Sequence, residues 1–491
     1  MAIALAFALA KLAFHLLTNG RYGYFRDELY YLACGQHLDW GYSDCPPLIG
    51  LIAWTARAMF GDSLPAIRLL PALAGAVKVF LTGMIAREFG GGRVAIALAC
   101  LTATAAPIYL GIDTLLTMNV FEPVFWMGVV YLVARAVRHD RPRLWVWVGV
   151  LAGLGMENKH STAFFLFALA AGLALSQERR WLRTHWPWTG AAIALAIALP
   201  NLVWEQQRNW PIIETLTNVR RTGKNVVLGP AEFVGQQILM LSPAALLVWL
   251  PGLWFLFRRR RIFAWTFVAF FAVMMALHAK NYYLAPVYPM LLAAGGVFWE
   301  QTRLRWVQAA LAAAVLIMGA IGAPLAAPVL PVQQYLRYEE ALGLQMPKTE
   351  VEHRGRLPQI FGDMFGWPEM VERVAKIYQA LPPADRARAA IYAGNYGEAG
   401  AIDFFGPRYG LPRAISGHQS YWFWGPRGYT GDVVIVLQGR RERLEQRFTS
   451  VQPAGATQHP YAMAEENYEI FVCRGIKRPL TEIWPQLKHW N

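Results

Sequence analysis

The 491-residue sequence has little charge, few acids and little cysteine. Charged residues make up 16% of it, against roughly 25% in soluble domains. The deficit falls mainly on the acids, with 32 Asp and Glu against 46 Lys and Arg. Four cysteines, Cys34, Cys45, Cys100 and Cys473, form no C-x-x-C pair, which excludes the familiar zinc-ribbon and dithiol redox patterns. Cys34 and Cys45 share one loop and either bridge or stand as two small unpaired residues. No Walker or dinucleotide spacing is present; the Gly-rich "YAGNYGEAGAIDFFGPRYGLP" only loosely suggests a strand–loop–helix phosphate site.

Apolar residues fill that space. They reach 56%, the mean hydropathy is +0.28, and there are 20 tryptophans. This composition is that of a polytopic membrane protein with two interfaces to mark. The opening "MAIALAFALAKLAFHLL" lacks a basic leader, is interrupted by Lys11, and is followed by many more apolar runs. It reads as a first transmembrane helix rather than a signal peptide. Lys11 and His15 within it either face the protein interior or snorkel from an off-centre helix. Spans are expected at about 1–18, 64–86, 94–111, 115–134, 144–157, 161–176, 187–204, 236–257, 262–279, 282–299 and 306–323, about eleven in all.

Arginines set the orientation. With the N-terminus inside, the inner loops carry Arg87 and Arg93, then Arg135, Arg138, Arg141 and Arg143, then Arg179, Arg180 and Arg183, then Arg258 to Arg261, and finally Arg303 and Arg305. Only Glu88, Asp140, Glu178 and Glu300 accompany them, as the positive-inside rule requires. The net charge of +14 is thus accounted for without a nucleic-acid partner. The outer loops hold a different set. The first, about 19–63, carries Asp27, Glu28, Asp39, Asp44 and Asp62, and Pro46-Pro47 is expected to turn the chain back toward the second span. Asp113 lies in "DTLLTMNVFEP", Asn158-Lys159-His160 in "ENKHST", and Lys280, Tyr282 and Tyr283 in "HAKNYY". The fourth outer loop, about 205–235, holds Arg208, Arg220, Arg221 and Lys224. Ionisable groups wedged at span ends face a cavity or one another, so these clusters point to one outer site.

After 323 the texture changes. "PEMVERVAKIYQAL" has helical spacing; "RAAIYAG", "DVVIVLQG" and "NYEIFVC" read as strands, and "GRRERLEQRF" as a helix. Residues 324–491 are expected to form an extracytoplasmic α/β domain beside a transmembrane domain of residues 1–323. Within it, the aromatic run from Tyr421 to Trp424 either packs against the membrane portion or contacts sugar or lipid.

Five stretches in order, "YFRDELYY", "WGYSDCPPL", "DTLLTMNVFEPVFW", "GLGMENKHST" and "HAKNYYLAPVYPMLLAAG", resemble the GT-C membrane glycosyltransferases. The likeness is to the bacterial dolichyl-phosphate-mannose protein mannosyltransferase-like branch, which includes the aminoarabinose transferases of lipid A. It runs from residue 20 to about 300. It implies an inverting transferase in a bacterial cytoplasmic (inner) membrane, with its site on the outer face. Such an enzyme moves a hexose or pentose from a polyprenyl-phosphate-linked sugar donor to a lipid, glycan or protein acceptor. The family's first-loop base maps onto Asp27, with Glu28 and Asp113 as supporting acids. Asn158, Lys159, His160, Lys280, Tyr282 and Tyr283 would bind the donor and its phosphate. Where aminoarabinose transferases have Glu-Lys before a proline, this chain has Asp44-Cys45, so the cation facing the phosphate must come from Lys159, His160, Lys280 or a fourth-loop arginine. A divalent metal (Mg, Mn or Zn) held by Asp44 and Glu28 is the other source of positive charge.

Plainer readings stand beside these. The Asp27-Glu28 pair suits the N-terminus of an interfacial helix, Asp113 suits a cap, Glu122 could pair with Lys159 or Lys78, and Tyr282-Tyr283 suit an aromatic belt. A proton-coupled transporter and a non-catalytic envelope assembly protein are the alternatives to the transferase; neither internal repeats nor mid-membrane breaks argue for transport.

Overall fold

A computed structural model describes residues 1–343, 350–351 and 355–491. Each expected span falls on a helix or on two consecutive helices. Their lengths are uneven. Among the described residues, Leu64–Glu88, Met118–His139, Trp186–Gln207 and Arg305–Ala326 are long and apolar enough to cross a bilayer by length and composition. Two bent pairs, Ser161–Ala174 with Gln177–Arg183 (108°) and Pro230–Leu241 with Pro243–Arg259 (109°), raise that number to six. The expected eleven full spans therefore exceed what helix length alone supports. Ala2–Thr18, Arg93–Ala105 and Arg261–Ala276 are apolar but shorter. Ser242 at positive φ makes the second break, its hydroxyl accepting from the Ala245 N–H to start the next helix.

The first outer loop is not a simple turn. It contains Arg26–Gln36 and a second helix, Leu48–Phe60, so Pro46-Pro47 lead into a helix and not directly into the second span. Leu51, Trp54 and Met59 of that second helix are exposed, as suits a helix lying in an apolar interface.

The helix termini sort into two ends. At one end, Glu88 pairs with Arg135, Arg138 and His139, and Glu300 accepts from the Val94 N–H at 2.9 Å. At the other, Asn19 donates to the Arg68 carbonyl and Asn158 to the Met118 carbonyl. The helix Met118–His139 joins the two ends, about 33 Å apart at 1.5 Å per residue.

A charge cluster lies inside the bundle. Lys11 is fully buried and reaches Asp113 at 3.1 Å, while Lys78 meets both Asp113 oxygens at 2.6 and 2.7 Å. Lys11 thus faces the interior and does not snorkel. Asp113 ends the short helix Pro107–Ile112 and does not start one.

The C-terminal part holds a five-stranded sheet made of β1 Ala389–Tyr392, β2 Ala414–Ile415, β3 Val433–Val436, β4 Phe448–Ala456 and β5 Glu469–Ile476, in the order β2-β1-β3-β5-β4. β1 is parallel to β2 and β3; β5 is antiparallel to β3 and β4. The three expected strands are β1, β3 and β5, and the expected helices are Trp367–Ala380 and Arg441–Arg447. The domain docks through its aromatics: Trp424 stacks on His37 at 4.2 Å, and Phe423 meets Trp204 edge-on at 5.7 Å. Of the run from Tyr421 to Trp424, Phe423 and Trp424 pack on the helical part, while Tyr421 donates to Asp403 at 3.1 Å and Trp422 to the Trp484 carbonyl at 3.2 Å within the C-terminal domain.

Because Asp113 balances two buried lysines, Asp113→Asn should leave uncompensated charge inside the bundle. The expected loss of stability is about 3–5 kcal/mol, read as a lowered midpoint of thermal unfolding in detergent.

Candidate active site

The two acids of the opening pair separate by role. Asp27 and Glu28 are the second and third residues of the helix Arg26–Gln36, so their side chains diverge by about 100°. Glu28 turns inward and is completely buried. It accepts from Arg68 Nε at 2.9 Å and Nη2 at 2.8 Å, from the Leu116 N–H at 2.9 Å and from the Phe25 N–H at 2.8 Å. With all of these donors on it, Glu28 has no part free for substrate or metal. Its bond to the N–H preceding the helix is one half of a capping box, so the plainer reading holds for this residue.

Asp27 remains partly exposed and accepts from the Tyr396 hydroxyl at 2.7 Å. Charged groups surround it. Arg26 lies 3.5 Å from Asp363 and 3.9 Å from Glu350, and Glu350 lies 3.5 Å from Lys280. Burial opposes the charge on Glu350, yet Lys224, Lys280 and Arg26 together hold it below the usual carboxylate range. Burial, against the pull of Glu350, lowers Lys224. Asp363 is pushed up to about 7 by burial, with Arg26 opposing and Asp27 adding to the rise.

On the adjoining side, Asp44 accepts from the Tyr30 hydroxyl at 2.7 Å. Burial pushes it up to about 6, with the Tyr30 bond opposing and the charge of Asp27 adding. Ser420 of the C-terminal domain accepts from the same Tyr30 hydroxyl at 2.8 Å. Lys159 sits 3.1 Å from Glu122, as the plainer reading of Glu122 had it, and 4.2 Å over the ring of Tyr283. Tyr283 lies edge-on to Tyr282 at 5.0 Å.

The structure therefore gathers Asp27, Asp44 and Lys280 with Arg26, Lys224, Glu350, Asp363 and Tyr396, and the pair Tyr282-Tyr283 adjoins Lys159. Four expected residues, Glu28 among them, are held by other partners. Asp113 is spent on Lys11 and Lys78. Asn158 is fully buried, its amide holding the Met118 carbonyl at 2.9 Å. His160 pairs with Asn201 at 3.0 Å on a separate arm. Of the fourth-loop cations, Lys224 faces this cluster; Arg208 instead pairs with Asp39 at 3.1 Å. Cys34 and Cys45 are both free and buried.

The proposed metal pair does not fit. Glu28 is engaged as described, and no cluster of three His, Cys, Asp or Glu side chains suited to a metal occurs among the described residues. The Gly-rich loop does not fit a phosphate either. It is a strand–loop–helix unit, β1 followed by Tyr396–Phe405, but Glu398 accepts from the Gly394 N–H at 2.6 Å and Asn395 caps Glu398. The donors that would cradle a phosphate already have acceptors.

Residues 44–204 match the family model of dolichyl-phosphate-mannose-protein mannosyltransferases. The whole chain has the fold of ArnT from Cupriavidus metallidurans bound to undecaprenyl phosphate, with a TM-score of 0.62 and 14% identity over 95% of this chain and 97% of that one. The GT-C resemblance stands. The apo form of ArnT gives a TM-score of 0.59 at 15% identity, over 96% and 97% of the two chains. The Archaeoglobus fulgidus oligosaccharyltransferase, in complex with zinc and sulfate, gives 0.50 at 12% identity, over 89% of this chain and 67% of that one. No curated protein matches the chain in sequence. The fold shared with ArnT extends through the C-terminal domain, beyond the stretch that carried the likeness in sequence.

Two outcomes check the division of labour. Glu28→Gln should cost about 3–5 kcal/mol, because Arg68 is left buried and unpaired, whereas Asp27→Asn should shift the unfolding midpoint little. For Asp44, the folded pKa lies above the unfolded one, so the folded chain keeps a proton that the unfolded chain has lost. Stability should fall as pH rises from about 4 to about 6, and Asp44→Asn should flatten that fall in pH-resolved thermal unfolding.

Proposed function

We propose that this chain is an inverting glycosyltransferase that uses a polyprenyl-phosphate sugar on the outer face of a bacterial inner membrane. The observation that carries the proposal is Asp27, a partly exposed carboxylate oriented by Tyr396 and set among lysines, in a chain with the fold of a protein crystallised with undecaprenyl phosphate.

The chemistry follows from the arrangement. The acceptor hydroxyl gives its proton to Asp27 as its oxygen attacks the anomeric carbon from one face. The bond from that carbon to the phosphate oxygen breaks on the other face, and its electron pair leaves with the polyprenyl phosphate. The Tyr396 hydroxyl occupies Asp27 Oδ1, which leaves Oδ2 for the acceptor proton. Charge gathering on the leaving phosphate needs fixed cations; Lys280, Lys224 and Lys159 supply them, with Tyr282 and Tyr283 as the sugar or prenyl-facing wall. Lys159 and Lys280 already pair with Glu122 and Glu350, so the incoming phosphate exchanges places with a carboxylate rather than meeting a bare charge. Asp44 closes the floor beside Tyr30.

A transfer assay tests this: purified chain in lipid, a radiolabelled prenyl-phosphate sugar and crude envelope acceptor. Asp27→Asn should lower transfer by about 10²–10⁴-fold, while Asp39→Asn should retain it. Unchanged transfer in Asp27→Asn would remove the base assignment, and coupled solute uptake into vesicles would favour transport instead.

A further inference from the structure

At the end of the bundle opposite Asp27 lies a cavity of about 140 Å³, lined by Arg258, Arg259, Arg260 and Arg261 together with Gln177 and Glu178. On the same measure one water needs about 10–15 Å³, which leaves room for a tetrahedral anion. The charge around it is not balanced. Four arginines and one carboxylate, Glu178, line it, and Glu178 is itself 3.4 Å from Arg180. The other nearby acid, Glu88, already holds Arg135, Arg138 and His139.

Among the described residues, none of the four arginines forms an ion pair. Arg258 lies 4.5 Å over the ring of Trp254, and Arg261 donates Nε to the Phe257 carbonyl at 3.2 Å. Burial, and then the positive charge of Arg138, lower the pKa of Arg260. The helix Arg261–Ala276 begins at this cavity, so the positive end of its dipole faces the same space. Four arginines, Arg260 half-buried and the others exposed, outnumber the one lining carboxylate around a hollow at a helix start, which fits a dianionic or monoanionic phosphate.

We infer that this cavity binds a phosphate-bearing anion, with the headgroup of an anionic phospholipid or a free phosphate as its source. The site is independent of the transfer reaction and rests on the bundle spanning a membrane. In a membrane the arginine end meets the anionic cytoplasmic leaflet, where a headgroup is the more concentrated source.

Native mass spectrometry of the purified full chain in detergent tests the inference. The probes are phosphatidylglycerol, phosphatidylcholine and inorganic phosphate, the last read as protection against thermal unfolding. Phosphatidylglycerol should be retained in preference to phosphatidylcholine. The double variant Arg259→Gln/Arg260→Gln should weaken retention about thirtyfold, at roughly fivefold per arginine. Arg259→Lys/Arg260→Lys should keep most of it, and Arg303→Gln/Arg305→Gln, on the same end but outside the cavity, should not change it. Protection by millimolar phosphate without retention of phosphatidylglycerol, lost in the glutamine variant, supports the site with free phosphate as its source. Binding of neither anion overturns the inference, and so does equal binding in the glutamine variant. Should that variant not fold, equal retention of the two lipids by the unaltered chain overturns it.

Discussion

The Glu28–Arg68 pair is the interaction on which the Asp27 end of this molecule depends. Arg68 also donates to the carbonyls of Asn19 and Gly23, at 3.2 and 2.8 Å. One buried ion pair therefore joins the end of the first helix, the start of the helix bearing Asp27, the start of the second span and the turn at Leu116. Two charges withdrawn from water are tolerated only where the geometry is good and the remaining lone pairs are satisfied. Both conditions hold here, and the result is that Asp27, one residue earlier, is held facing away from the core.

That placement only becomes a site because the C-terminal domain closes over it. Tyr396 comes from the first residue of the helix Tyr396–Phe405, whose Gly400 lies so close to Leu29 that a Cβ would sit 2.8 Å from its backbone. Ser420 reaches Tyr30, and Ser43 Oγ donates to Gln419 at 3.0 Å. The domain is thus a wall of the same pocket. Its strand–loop–helix unit, which suggests phosphate binding in sequence, spends its backbone donors on its own Glu398 and uses its aromatic side chain at Asp27 instead.

Much of this was legible in the sequence. Polar clusters at span ends, the gathering of arginines at the other end and three of the five strands follow from composition and period. Which member of Asp27-Glu28 faces the core does not, because neighbouring helical residues differ by a rotation that no local pattern reports. The partners of Asp113, Lys11 and Lys78, lie in other helices, and the only local signal of that pairing is a lysine within each of two apolar runs. Tyr396 lies 369 positions from Asp27, and Lys224, Glu350 and Asp363 come from loops whose convergence only the fold creates. Helix length does not confirm the count of about eleven spans: Ala2–Thr18, Arg93–Ala105 and Arg261–Ala276 are short, and a sharp bend at Ser242 interrupts the expected span 236–257.

The central claim is that the donor's anomeric carbon is delivered to Asp27 at the end of the bundle away from the arginines. The most direct measurement is a structure of the full chain in lipid with a non-transferable prenyl-phosphonate sugar analogue. The expected result places the sugar between Asp27 and Tyr282, with the phosphonate against Lys280, Lys224 or Lys159 and room for an acceptor oxygen within about 3 Å of Asp27. An analogue seated elsewhere, with Asp27 facing only protein, would contradict the account.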